Sequence, residues 1–136
     1  MTMITPAIDP TRAAVKHFAE VFPANTPVVM LNLLRFREQA QYADASLPAC
    51  SGREAYAQYS KLIEPILALA GGKVLWAGNA FALIAPAGEE WDEVLLVQYP
   101  ATQAFLGMIT SPAYQAIVHH RTAALADSRL VPSVQS

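Results

Sequence analysis

Charge is what this chain has least of: 15% of its 136 residues are Asp, Glu, Lys or Arg, against about 25% in an average soluble domain. Nine basic residues face eleven acidic ones, for a net charge of −2. That leaves no basic field for nucleic acid and no Lys/Arg cluster for an anionic membrane. There is one cysteine, Cys50, so an internal disulfide is excluded and no thiol pair suggests zinc. The first residues lack the basic stretch and apolar run of a secretion signal. The longest uncharged apolar stretch, 74–88, is interrupted by Gly78, Asn79 and Pro86. It falls short of the ~20 residues that span a bilayer, so the expected location is the cytoplasm. No glycine-rich phosphate loop, nucleophile elbow or H-E-x-x-H pattern occurs. His17, His119 and His120 lack metal-ligand spacing, because adjacent helical histidines cannot face one ion. Neither a metal nor another cofactor is expected.

Apolar residues, by contrast, make up 54% of the chain. The length suits one domain with a core of its own. Three stretches, Val28–Leu34, Val74–Ile84 and Val94–Tyr99, are apolar at odd and even positions alike. Side chains of a strand alternate between the two faces of its sheet, so both faces here need cover. One domain of this size has too little chain to cover both, and large apolar patches are rare on monomers. The expected partner is a second copy, in a homodimer that buries sheet against sheet.

Asp9-Pro10 reads as a helix start, followed by Val15, Phe18, Ala19 and Phe22 on one face and stopped by Pro23. A first strand over 28–34 leads into a polar loop, 37–51, long enough to act as a lid or a clamp on a partner. Ser51 caps a helix whose Tyr56, Tyr59, Leu62, Ile63 and Ile66 recur at helical spacing; Pro65 should kink it and Gly71-Gly72 ends it. A second strand spans 73–84, with a bulge or bend at Gly78. A third spans 93–99, a short helix 102–109, and a helix opened by Ser111-Pro112 runs to about Ala126. A last strand, 129–134, falls at a sheet edge. After the leading helix the order is βαββαβ, an α+β, ferredoxin-like arrangement with an antiparallel sheet. Residues 1–26 form an N-terminal helical extension and residues 27–136 the domain.

Several segments carry a resemblance. Met30-Leu31-Asn32-Leu33-Leu34-Arg35-Phe36-Arg37, Gly52-Arg53-Glu54-Ala55-Tyr56, the run from Tyr99 to Phe105, and Ser111-Pro112-Ala113-Tyr114-Gln115 with His120-Arg121 resemble an uncharacterised bacterial family. That family is domain of unknown function 1330, in the dimeric α+β-barrel superfamily. The resemblance covers roughly 27 to 133 and leaves the leading helix outside. It implies the fold and a face-to-face dimer, and lends no activity. The superfamily also holds cofactor-free monooxygenases, haem-degrading enzymes, isomerases and non-catalytic dimers, so fold kinship does not fix function.

The candidate ligand-binding residues are Asn32, Trp76, Arg121 and Arg35. Asn32 is the polar residue within the first strand, there to orient a ligand or to pin neighbouring backbone. Trp76, beside Gly78, either walls the same cavity or is plain core. Arg121 interrupts an apolar stripe of Tyr114, Ile117, Val118, Ala124 and Leu125, and needs a partner. That partner would be Asp127, Glu93, a carboxylate across the dimer, or an anionic ligand. Arg35, with Arg37 and Arg53, makes either an anion-binding rim or a solvated edge. His120, on the flank of that helix, and Tyr114 are the candidate catalytic residues for moving a proton, whereas His119 points to solvent. Asp92-Glu93 and Glu89-Glu90 read as turn charges. Cys50 lacks the surroundings of a reactive thiolate.

Three functions compete. One is a dimer that binds a small molecule between sheet and helices. Another is a cofactor-independent oxygenase or isomerase acting on a small planar substrate. The third is a non-catalytic structural dimer filled by its own side chains. An asparagine, a tryptophan and a helical histidine also resemble the residue set of haem-degrading relatives, with a different spacing to the histidine. A cavity of roughly 300 Å³ or more bounded by Asn32, Trp76, Tyr114 and His120 separates the first two from the third.

Overall fold

A computed structural model describes residues 7–136. The elements are α1 (Arg12–Val21), β1 (Val28–Phe36), α2 (Gly52–Leu69), β2 (Lys73–Asn79), β3 (Glu93–Tyr99), α3 (Thr102–Ile109), α4 (Pro112–Gln115), α5 (Val118–Ala124) and β4 (Leu125–Ser133). The strands form one antiparallel sheet in the order β2-β3-β1-β4. This is the ferredoxin-like α+β fold, with helices on one face.

The sheet is two-faced, as β1 requires. Val28, Met30 and Leu34 are buried beneath the helices. One cluster gathers Val28, Met30, Val97 and Tyr99 with Phe105 and Met108 of α3. A second joins Leu34 to Ala55, Tyr56 and Tyr59 of α2 and to Ala124 and Leu125. On the other face Leu31 pairs with Leu96 and Val131, and Leu33 with Val94 and Arg129. No described residue of a helix covers that layer; Trp76 is 60% exposed and Val131 49%. β4 is an edge strand, and Pro132 lies in it opposite Met30.

Local chemistry explains most of the boundaries. Ser51 Oγ accepts from the Glu54 N–H while the Glu54 carboxylate accepts from the Ser51 N–H, a capping box that starts α2. Pro65 does not end α2, which runs on to Leu69. Gly71 then turns the chain at a φ of 78°.

Five expectations are corrected. Helix α1 is capped by Thr11, whose hydroxyl accepts from the Ala14 N–H, and not by Asp9; Asp9 is drawn off to Arg121 and Thr122. Strand β2 stops at Asn79, and residues 80–84 leave the sheet in a loop where Ala80 N–H meets the Asp92 carbonyl at 2.9 Å. The bulge in β2 lies between Val74 and Trp76 rather than at Gly78. The helix from Pro112 breaks at Ala116-Ile117, where the Ile117 and His120 N–H groups bond three residues back to Tyr114 and Ile117. β4 accordingly begins at Leu125, four residues early.

The N-terminal segment is stitched to the domain. Asp127, 3% exposed, accepts from the N–H groups of Ala7 and Ser128 at 2.9 Å, and pairs with Arg129 at 2.6 Å and Arg35 at 3.1 Å. Burial alone would raise the Asp127 pKa, but these donors together outweigh it and hold the carboxyl below its usual value. A lowered folded-state pKa gives stability that is complete above the unfolded value and is lost as pH falls through the folded one. Asp127→Asn should therefore cost about 3 kcal/mol at neutral pH. The deficit relative to the native chain should narrow below about pH 5. Urea unfolding of both proteins across pH measures it; a deficit that does not change with pH would contradict the ionic role.

Candidate functional site

Between the helical face of the sheet and helices α1, α2, α4 and α5 lies a cleft of about 1090 Å³. Its floor is β1 and β3, where strand alternation turns Asn32, Glu93, Leu95 and Val97 to the same side. Its roof is Tyr56 and Tyr59 of α2, Tyr114 of α4 and Arg121 of α5. Asp9, Arg12, Val15 and Lys16 form a further wall, so the leading helix builds the site.

Asn32 is held loosely. Its Nδ2 donates to the carbonyls of Met30 at 3.4 Å and Leu95 at 3.5 Å, at the long limit of a hydrogen bond. Its Oδ1 has no partner among the described residues. Tyr56 is 7% exposed, and its hydroxyl likewise finds no partner among the described residues. Tyr59 and Tyr114 share a 3.3 Å hydrogen bond. Burial raises the phenol pKa of Tyr56 and Tyr59 well above the usual value; Arg121 opposes the shift at both, and Glu93 adds to it at Tyr56. These phenols stay protonated.

Arg121 is buried, and its partner within the chain is neither Asp127 nor Glu93: Nη1 donates to the Ile8 carbonyl at 2.7 Å and stands 3.5 Å from Asp9. Asp127 is occupied by Arg129 and Arg35.

Three candidates lie elsewhere. Trp76 is on the open face of the sheet, opposite Leu96, because the β2 bulge reverses the side on which it falls. His120 is outside the cleft; its Nδ1 shares a 2.7 Å hydrogen bond with the Tyr42 hydroxyl, and its ring lies 4.1 Å from that of His119. Burial lowers the His120 pKa and His119 lowers it further. Arg35 is tied to Asp127 and stands over the Trp91 ring at 5.4 Å, with Arg129 over the same ring at 5.2 Å. The loop 37–51 does not line the cleft either; Gln41 N–H bonds to the Ala123 carbonyl at 2.9 Å, holding the loop to α5.

Sequence reading passed over Glu93, Tyr56 and Tyr59 as site residues. Glu93 was legible, since it has the same parity on β3 as Leu95 and Val97 and so shares their face. The tyrosines carry no such mark, because a helix core uses them equally well.

The family described as Domain of unknown function (DUF1330) matches residues 38–134, starting just after β1. A crystal structure of a protein of unknown function from Rhodopseudomonas palustris is 40% identical and superposes with a TM-score of 0.87, over 97% of this chain and 98% of that one. The likeness therefore extends over the leading helix, which the sequence resemblance had left out. A dimeric protein of unknown function and ferredoxin-like fold from Bacteroides fragilis is 15% identical, with a TM-score of 0.53 over 83% of this chain and 100% of that one. A hydroxynitrile lyase from Passiflora edulis is 10% identical, with a TM-score of 0.55 over 82% and 95%. The last two share the fold alone. No curated protein matches the chain.

Proposed function

Because the chain belongs to the DUF1330 family, whose function is unknown, we propose a function from its own cleft: it binds a small molecule between sheet and helices, as a homodimer joined through the open sheet faces. The observation that carries this is a large, mostly apolar cleft lined by Asn32 and Tyr56, whose amide oxygen and hydroxyl have no protein partner among the described residues. Ligand sites are built in this way, from apolar walls with a few convergent polar groups. A ligand that supplies these two atoms with partners gains about 0.5–1.5 kcal/mol for each hydrogen bond. On this reading Asn32 and Arg121 are binding residues, as expected from the sequence, and Tyr114, expected there as a catalytic residue, joins them with Tyr56 and Glu93. Residues 1–26 are an extension, of which Asp9, Arg12, Val15 and Lys16 wall the cleft of the 27–136 domain. If a reaction occurs here, Tyr114 is placed to handle a proton in the cleft, and His120, outside it, is not.

The dimer reading draws on the uncovered apolar layer and on the dimeric ferredoxin-like proteins that share the fold. A melting screen with a panel of small aryl and alkyl compounds tests the binding reading. A true ligand at a hundredfold excess over its Kd should raise Tm by several degrees. Asn32→Ala should weaken that ligand about tenfold while leaving the ligand-free Tm nearly unchanged. A panel without a single shift, or shifts indifferent to Asn32, would refute it.

A further inference from the structure

We propose that the cleft takes an organic cation, an aryl- or alkylammonium group seated on the Glu93 carboxylate among tyrosine rings; this rests on the cleft being a ligand site. Glu93 stands on β3, an inner strand, with its side chain on the helical face and half-buried in the cleft. Among the described residues it has neither a hydrogen bond nor an ion pair. Arg53, the cation whose charge acts on Glu93, is turned to Asp92 at 3.6 Å. Burial raises the Glu93 pKa, with Arg53 opposing it from a distance, as expected of a carboxyl lacking a counter-charge.

The inner positive charge, Arg121, is already satisfied in part by Ile8 and Asp9. Arg12 and Lys16 are exposed on α1, with Lys16 set toward Glu20 at 3.9 Å. The uncompensated charge on the floor of the cleft is thus negative. Tyr56, Tyr59, Tyr99 and Tyr114 line the same cleft, and aromatic faces attract desolvated cations. An ammonium N–H can also donate to Asn32 Oδ1 and to the free Tyr56 oxygen. An anionic ligand would instead face Glu93 with its like charge.

Calorimetric titration at neutral pH with phenethylamine, phenethyl alcohol and 3-phenylpropionate distinguishes the outcomes. The amine should bind about tenfold tighter than the alcohol. Glu93→Gln should erase that preference while the alcohol binds as before. Rising salt should erode the amine's advantage in the native chain, a readout that needs no variant. Preference for the propionate, or an amine preference that survives in Glu93→Gln or is indifferent to salt, overturns the cation assignment and leaves the cleft as a ligand site. Binding of none of the three at millimolar concentration overturns the ligand site as well.

Discussion

Leu31→Glu is expected to yield a folded protomer that sediments alone at micromolar concentration, where the native chain sediments as a pair. Leu31 lies at the middle of the open layer, between Leu96 on β3 and Val131 on β4. In the lone protomer the new carboxylate stays in water, so the fold should hold. In the dimer it is buried against a second apolar layer without a counter-charge. An uncompensated buried charge costs about 3–5 kcal/mol, a loss of a hundredfold or more in affinity. Leu69→Glu, at a position 92% exposed at the end of α2, is the control and should leave the pair intact. Sedimentation velocity decides it: a native protomer that never pairs, or a Leu31→Glu protein that pairs as tightly as before, refutes the face-to-face arrangement.

Gly52→Ala should lower stability sharply. Gly52 opens α2 where the exit of β1 and the end of α5 converge. Its N–H donates to the Arg37 carbonyl at 3.1 Å, and the Arg37 N–H donates to the Ala124 carbonyl at 2.8 Å. A methyl group there would run into the Arg37 carbonyl oxygen and come within 2.7 Å of that of Ala124. Both are backbone atoms held by their own hydrogen bonds, so neither can swing aside as a flexible side chain would. Overpacking of this kind costs roughly 3 kcal/mol, and the expected fall in Tm is about 10 °C or more. Gly107→Ala provides the contrast. It sits in α3 with nothing within 4 Å of the added carbon, and relief of helix-interior glycine should stabilise by about 0.5–1 kcal/mol. Thermal melts of both variants test the pair; equal Tm values would show that the three-way junction yields.

The same residues show what was readable in advance. β3 and α3 fall at 93–99 and 102–109, where the continuous apolar run and the short helix after it are expected, and α2 starts at its capping box. The fold follows from those elements and from the two apolar faces of β1. The site was only half legible. Asn32, Tyr114 and Arg121 are brought together, since the parity of β1 and the phase of the last helical stripe survive even though that helix breaks at Ala116-Ile117. Trp76 was misplaced because a single inserted residue in β2 reverses the facing of the strand beyond it, and a bulge between Val74 and Trp76 leaves no mark in composition. The partner of Arg121 was missed because Ile8 and Asp9 lie more than a hundred residues away in the chain. No local pattern encodes such a contact.

Pro132 bears on how far association can go. A proline in the outermost strand is a poor template for another chain's backbone, and proteins blunt such borders in this way against stacking into fibres. The proposed contact through the broad layer, by contrast, would use the same patch on both copies and be complete once two had met. If two copies meet as proposed, association ends at the pair, and a protein so rich in apolar residues stays a discrete particle rather than an open-ended polymer.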